Sequence, residues 1–136
     1  MIKPLVFYLD DNQDALDLAQ AITKSDERFT LVGYRTQEEF LKAVEDDNPK
    51  GVIIDLNLGE NITGTIVSEK LRIKHPQLHI AIYTNYDKYR VSKFLDQKDL
   101  ISGLVRVWTK SEVGVTNLAD EIVEMITPSL ELAFNG

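Results

Sequence analysis

The run Gly51-Val52-Ile53-Ile54-Asp55 constrains this chain more than any other stretch. A short, continuous apolar run is the pattern of a strand buried on both faces of a sheet. It ends abruptly in a carboxylate and passes into a loop, Leu56 to Gly64, that carries Asn and Gly. Taken alone, Asp55 reads as a cap or a solvated strand end. Read as a phosphoryl-accepting or metal-binding carboxylate, it needs partners elsewhere in the chain.

Four further runs have strand character: Pro4 to Leu9, Phe29 to Tyr34, Ile80 to Thr84 and Leu104 to Trp108. Helical periodicity fills the gaps between them. Ala15, Leu18, Ala19 and Ile22 form one apolar stripe. Thr36 with Glu39 makes a capping box, opening a helix whose inner face is Phe40, Leu41 and Val44 and which Asn48-Pro49 stops. Gly64 leads into a helix carrying Ile66, Val67 and Leu71, ended before Pro76. Tyr86 to Leu95 reads as a short helix, and Asp96 to Gly103 as polar and irregular. Val115, Leu118, Ala119, Ile122 and Ile126 mark a last helix that Thr127-Pro128 breaks, leaving Leu130, Leu132 and Phe134 as an apolar tail.

Strands alternating with helices imply right-handed βαβ units and a parallel sheet. Strands one, three and four are nearly pure apolar runs, whereas Thr30 and Arg106 mark strands two and five as edges. The pattern predicts an α/β, flavodoxin-like, doubly wound five-stranded parallel sheet of order 2-1-3-4-5. No linker or internal repeat interrupts it, so residues 1–136 read as one domain with its core at about 4–126.

In such a sheet the ligand site lies at the carboxyl ends of the strands, where strands one and three diverge. Asp10 and Asp11 follow strand one, Asp55 ends strand three, Thr84 ends strand four and Lys110 follows strand five. Three carboxylates so close repel one another unless a cation or a proton intervenes. An all-oxygen set suits Mg²⁺, which keeps several waters and takes one or two carboxylates plus substrate oxygens. Singly, each residue also fits a plain role: Asp10 and Asp11 a helix cap, Thr84 a strand residue, Lys110 a surface lysine.

Composition narrows the chemistry. The 136 residues contain no cysteine, which removes disulfides, thiolate catalysis and Cys-ligated zinc and fits a cytoplasmic setting. The formal charge is -7 without a Lys/Arg cluster, so the footprint for direct nucleic-acid binding is missing. No apolar run is long enough for membrane insertion as a helix. The two histidines, His75 and His79, flank Pro76 and read as solvated turn residues.

In order and position, Asp10-Asp11, Asp55, Thr84 and Lys110 resemble the receiver domain of two-component response regulators, CheY-like, over Leu5 to about Ile126. That resemblance implies a stand-alone receiver with Asp55 as phosphoacceptor, fed by a sensor histidine kinase or phosphotransfer protein. Mg²⁺ would be held by Asp10, Asp11, Asp55 and the backbone carbonyl of Asn57, while Lys110 and Thr84 contact the phosphoryl oxygens. A downstream protein partner reads the switched surface, and a homodimer is a further option. It also implies a signalling domain that catalyses only its own phosphorylation and dephosphorylation.

The sequence departs from the receiver pattern on the output side. Ser111 follows Lys110 where receivers usually carry Pro, which points to a trans turn and a differently aimed lysine. The aromatic is Trp108 rather than the residue at Val107, Asn85-Tyr86 follows Thr84, Gly59 replaces a loop proline, and the Thr84-to-Lys110 span is long. Tyr86 is placed to govern water access to the phosphate. The alternative is a phosphorylation-independent pseudo-receiver acting as an interaction module. A Mg²⁺-dependent phosphohydrolase fits least, since the chain offers Asp55-Leu56-Asn57 rather than Asp-x-Asp.

Overall fold

The run at Gly51 forms the middle strand of the protein. The computed structural model describes the backbone at residues 3–56 and 63–135, and the side chains at 3–56 and 65–128. The strands are β1 (Leu5–Leu9), β2 (Thr30–Tyr34), β3 (Gly51–Leu56), β4 (His79–Thr84) and β5 (Val105–Thr109). All neighbouring pairs are parallel, in the order β2-β1-β3-β4-β5. The predicted order therefore holds, with β3 and β4 interior and almost wholly buried.

The helices are α1 (Gln13–Thr23), α2 (Gln37–Asp47), α3 (Thr63–Lys74), α4 (Lys88–Ser92), α5 (Gln97–Ser102) and α6 (Leu118–Asn135). Strand alternation sends Tyr8, Ile53, Ala81, Tyr83 and Trp108 to one face, against Leu16 and Ala19 of α1 and Ile122 and Met125 of α6. Phe7, Ile54, Ile80, Ile82 and Val107 face the other way, onto Phe40 of α2, Val67 of α3 and Val91 of α4. Each such fully buried side chain contributes about 1.5–3 kcal/mol. Gly51 lets α6 close onto β3, because a Cβ there would lie 2.8 Å from Met125 Cε and 3.0 Å from Ile126 Cγ2. No described helix is long and apolar enough to cross a membrane.

Several local expectations need correcting. The buried face of α1 is Leu16, Ala19 and Thr23, leaving Leu18 50% and Ile22 40% exposed. The hydroxyl of Thr23 donates to the Ala19 carbonyl at 2.8 Å, and a hydroxyl satisfied within its own helix can occupy a core position. Ile66 of α3 is likewise 43% exposed, whereas Val67 and Leu71 of the same predicted set are buried. His79 is no turn residue: it opens β4 and is buried.

The stretch after β4 divides differently as well. Asp87 accepts from the Tyr89 and Arg90 N–H groups and Asp96 from Lys98, so each aspartate starts a short helix. Tyr86 therefore precedes α4, and the supposedly irregular 96–103 segment contains α5, closed by Gly103 at φ 80°. Val115 lies ahead of α6, and Pro128 does not end that helix. The Thr127 hydroxyl donates to the Val123 carbonyl in the turn before the proline, and Met125 and Ile126 fasten that turn to the core.

Candidate functional site

Parallel strands that end in register place their last residues on one rim. Asp55 pairs with Tyr83, Leu56 with Thr84, and Thr84 with Thr109, one residue before Lys110. Asp10 and Asp11 follow β1 on the same rim. One carboxylate oxygen from each of Asp10, Asp11 and Asp55 lies within 4.8 Å of the other two. The acidic convergence expected from strand ends is therefore present.

The three carboxylates differ in surroundings. Asp10 is 3% exposed. Its Oδ2 accepts from the Tyr8 hydroxyl at 2.8 Å and its Oδ1 from the Asn12 N–H at 2.9 Å. Burial first, and then the charge of Asp10, push the Tyr8 hydroxyl well above its ordinary pKa, so it stays a donor. Asn12 in turn caps α1, accepting from the Asp14 and Ala15 N–H groups, which fixes the turn after β1. Asp11 is exposed, and Asp55 is of intermediate burial. The Asp55 carboxyl is held above its usual range, mainly by burial; Lys110 opposes the shift while Asp10 and Asp11 add to it.

Lys110 reaches this group. Its Nζ lies 2.7 Å from Asp55 Oδ1 and 5.3 Å from the centre of the Tyr83 ring, while its N–H donates to the Thr84 carbonyl at 2.7 Å. The Lys110–Ser111 bond is trans, as all described peptide bonds are, yet the lysine still points at Asp55. Thr84 is fully buried, and its hydroxyl oxygen accepts from the Tyr86 N–H at 2.9 Å. A hydroxyl that accepts retains its own proton to donate. Asn57, the predicted carbonyl ligand, and Gly59 lie outside the described residues.

Sequence reasoning missed Tyr8 and Tyr83. Both sit in apolar runs where a tyrosine reads as core, and only the ring hydroxyls distinguish them. The donor set itself fits a hard divalent cation: three carboxylates, all oxygen, with a lysine ammonium already drawn to one of them.

The sheet order and the flanking helices are the fold seen in solved response-regulator receiver domains. A CheY-like receiver domain protein from Methanospirillum hungatei JF-1 superposes with a TM-score of 0.77 at 21% identity, covering 96% of this chain and 98% of that one. The receiver domain of a Luxo repressor protein from Vibrio parahaemolyticus gives 0.77 at 18% identity, covering 99% of each chain. The Thermotoga maritima response regulator TrrA, in complex with Mg²⁺-BeF, gives 0.67 at 20% identity, covering 90% of this chain and 98% of that one. In sequence, the transcriptional regulatory protein ComA of Bacillus subtilis (strain 168) is 23% identical over 84 residues, 60% of this chain and 39% of ComA. No family model matches the chain.

Proposed function

We propose that residues 1–136 form a cytoplasmic receiver domain that accepts a phosphoryl group on Asp55. The carrying observation is the convergence of Asp10, Asp11 and Asp55 within 4.8 Å, with the Lys110 ammonium 2.7 Å from Asp55. The Mg²⁺-BeF complex of TrrA, on the same fold, supports the reading. An Asp55 oxygen would attack the phosphorus of a phosphohistidine on a histidine kinase or phosphotransfer protein. The O–P bond forms as the P–N bond breaks, and the imidazole nitrogen leaves with the electron pair.

Asp10, Asp11 and Asp55 would hold Mg²⁺, whose charge would offset that of the phosphoryl oxygens. Lys110 then supplies a point charge to one phosphoryl oxygen and Thr84 a hydroxyl donor to another. Turning Thr84 away from the Tyr86 N–H would alter the backbone after β4, the local event that a protein partner reads.

Incubation with Mg²⁺ and acetyl phosphate, followed by intact-mass analysis, tests this. The parent should carry one phosphoryl adduct and Asp55→Asn none. Trp108 emission should respond to Mg²⁺ and again to beryllofluoride. A protein silent in both assays is a phosphorylation-independent interaction module instead.

A further inference from the structure

Lys110 carries a long, flexible side chain on a turn held at its backbone, which leaves the direction of the ammonium to its side-chain neighbours. The following bond is an ordinary trans peptide, and Ser111 is exposed, its hydroxyl engaged with Thr109 Oγ1 at 3.3 Å. What surrounds the lysine is Tyr83. We infer that Tyr83 is the positioning residue that aims Lys110 at the phosphoryl group on Asp55. This rests on the phosphoacceptor reading above and adds a residue to it.

Four contacts carry the inference. The Lys110 ammonium stands over the Tyr83 ring, 5.3 Å from its centre, while 2.7 Å from Asp55 Oδ1. A ring face attracts a cation from one side and leaves its other side to an anion. The Tyr83 hydroxyl donates to the Val113 carbonyl at 2.6 Å, within the core. That bond pins the loop three residues beyond Lys110, and the Lys110 N–H bond to the Thr84 carbonyl pins its start.

The ring itself is immobilised. Tyr8 packs edge-on at 6.2 Å and Trp108 at 6.4 Å. Tyr83 also pairs with Asp55 across β3–β4 and with Trp108 across β4–β5, so one residue borders both the acceptor strand and the lysine strand. Burial raises the Tyr83 hydroxyl above its ordinary pKa, with Lys110 opposing and Asp55 assisting, which keeps it a donor to Val113.

A purely structural tyrosine and a positioning one are separable, because Lys110 contacts the phosphoryl group and not the metal. Calorimetric titration with MgCl₂, and then with beryllofluoride at saturating Mg²⁺, reads the two affinities apart. Tyr83→Phe keeps the ring and loses the Val113 bond; beryllofluoride binding should weaken about threefold. Tyr83→Leu loses both and should weaken it about tenfold or more. Mg²⁺ affinity should stay within about twofold of the parent in each.

Unchanged beryllofluoride affinity in Tyr83→Phe and Tyr83→Leu overturns the inference alone. Equal losses for Mg²⁺ and beryllofluoride overturn it too, in favour of general loosening. If the parent binds Mg²⁺ but no beryllofluoride, the phosphoacceptor reading fails and takes the inference with it. Should Tyr83→Leu fail to fold, unchanged beryllofluoride affinity in Tyr83→Phe alone overturns the inference, since that variant keeps the packed ring and loses only the Val113 bond.

Discussion

At Asp10 both carboxylate oxygens already hold donors, one from Tyr8 and one from the Asn12 backbone. Hydrogen bonds to a charged group contribute more than neutral ones, and a buried carboxylate losing a donor keeps its desolvation cost. Tyr8→Phe should therefore lower unfolding free energy by about 1.5–3 kcal/mol, measured by urea titration without divalent cations. An unchanged urea midpoint would mean that water replaces the hydroxyl at no cost. The acidic residues and Lys110 were legible in sequence because parallel strands must end on a common rim. Tyr8 and Tyr83 were not, since a tyrosine's hydroxyl partner depends on neighbours distant in sequence.

Elements were legible where apolar runs are pure and less so where polar residues take core places. The β4 run was foreseen, but its first residue, His79, was assigned to solvent and is buried. Its Nδ1 has no hydrogen-bond partner among the described residues. Burial first, then Arg106 and Arg72, push the imidazole below its ordinary pKa. The folded state thus refuses a proton that the unfolded chain accepts below about pH 6.5. Because the unfolded state binds more protons there, stability is fully present above that pH and is lost as pH falls toward the folded pKa. Between about pH 7 and pH 5, His79→Leu should lose less stability than the parent. Parallel stability profiles for the two proteins would assign the acid sensitivity elsewhere. The α1 stripe was misjudged for a related reason: Thr23 satisfies its hydroxyl internally, and no apolar periodicity encodes that.

At the scale of the whole molecule, strand order followed from which runs were wholly apolar and which carried Thr30 or Arg106. The same topology imposes an electrostatic cost, because it gathers three carboxylates at one rim of a chain with formal charge -7. Asp55 stays above its usual pKa range through burial first, with Asp10 and Asp11 adding to the shift and Lys110 opposing it. A divalent cation that binds only the folded state should therefore stabilise it by mass action, about 2.7 kcal/mol at one hundred times its Kd. For a domain of this size that corresponds to roughly 7–13 °C in Tm. General screening of a -7 protein also raises Tm, so NaCl matched in ionic strength is the control. Asp11 is exposed, so Asp11→Asn should remove most of the Mg²⁺ shift without disturbing the core. A Tm shift that NaCl reproduces, or that Asp11→Asn keeps intact, would show that the carboxylates do not act together on one ion.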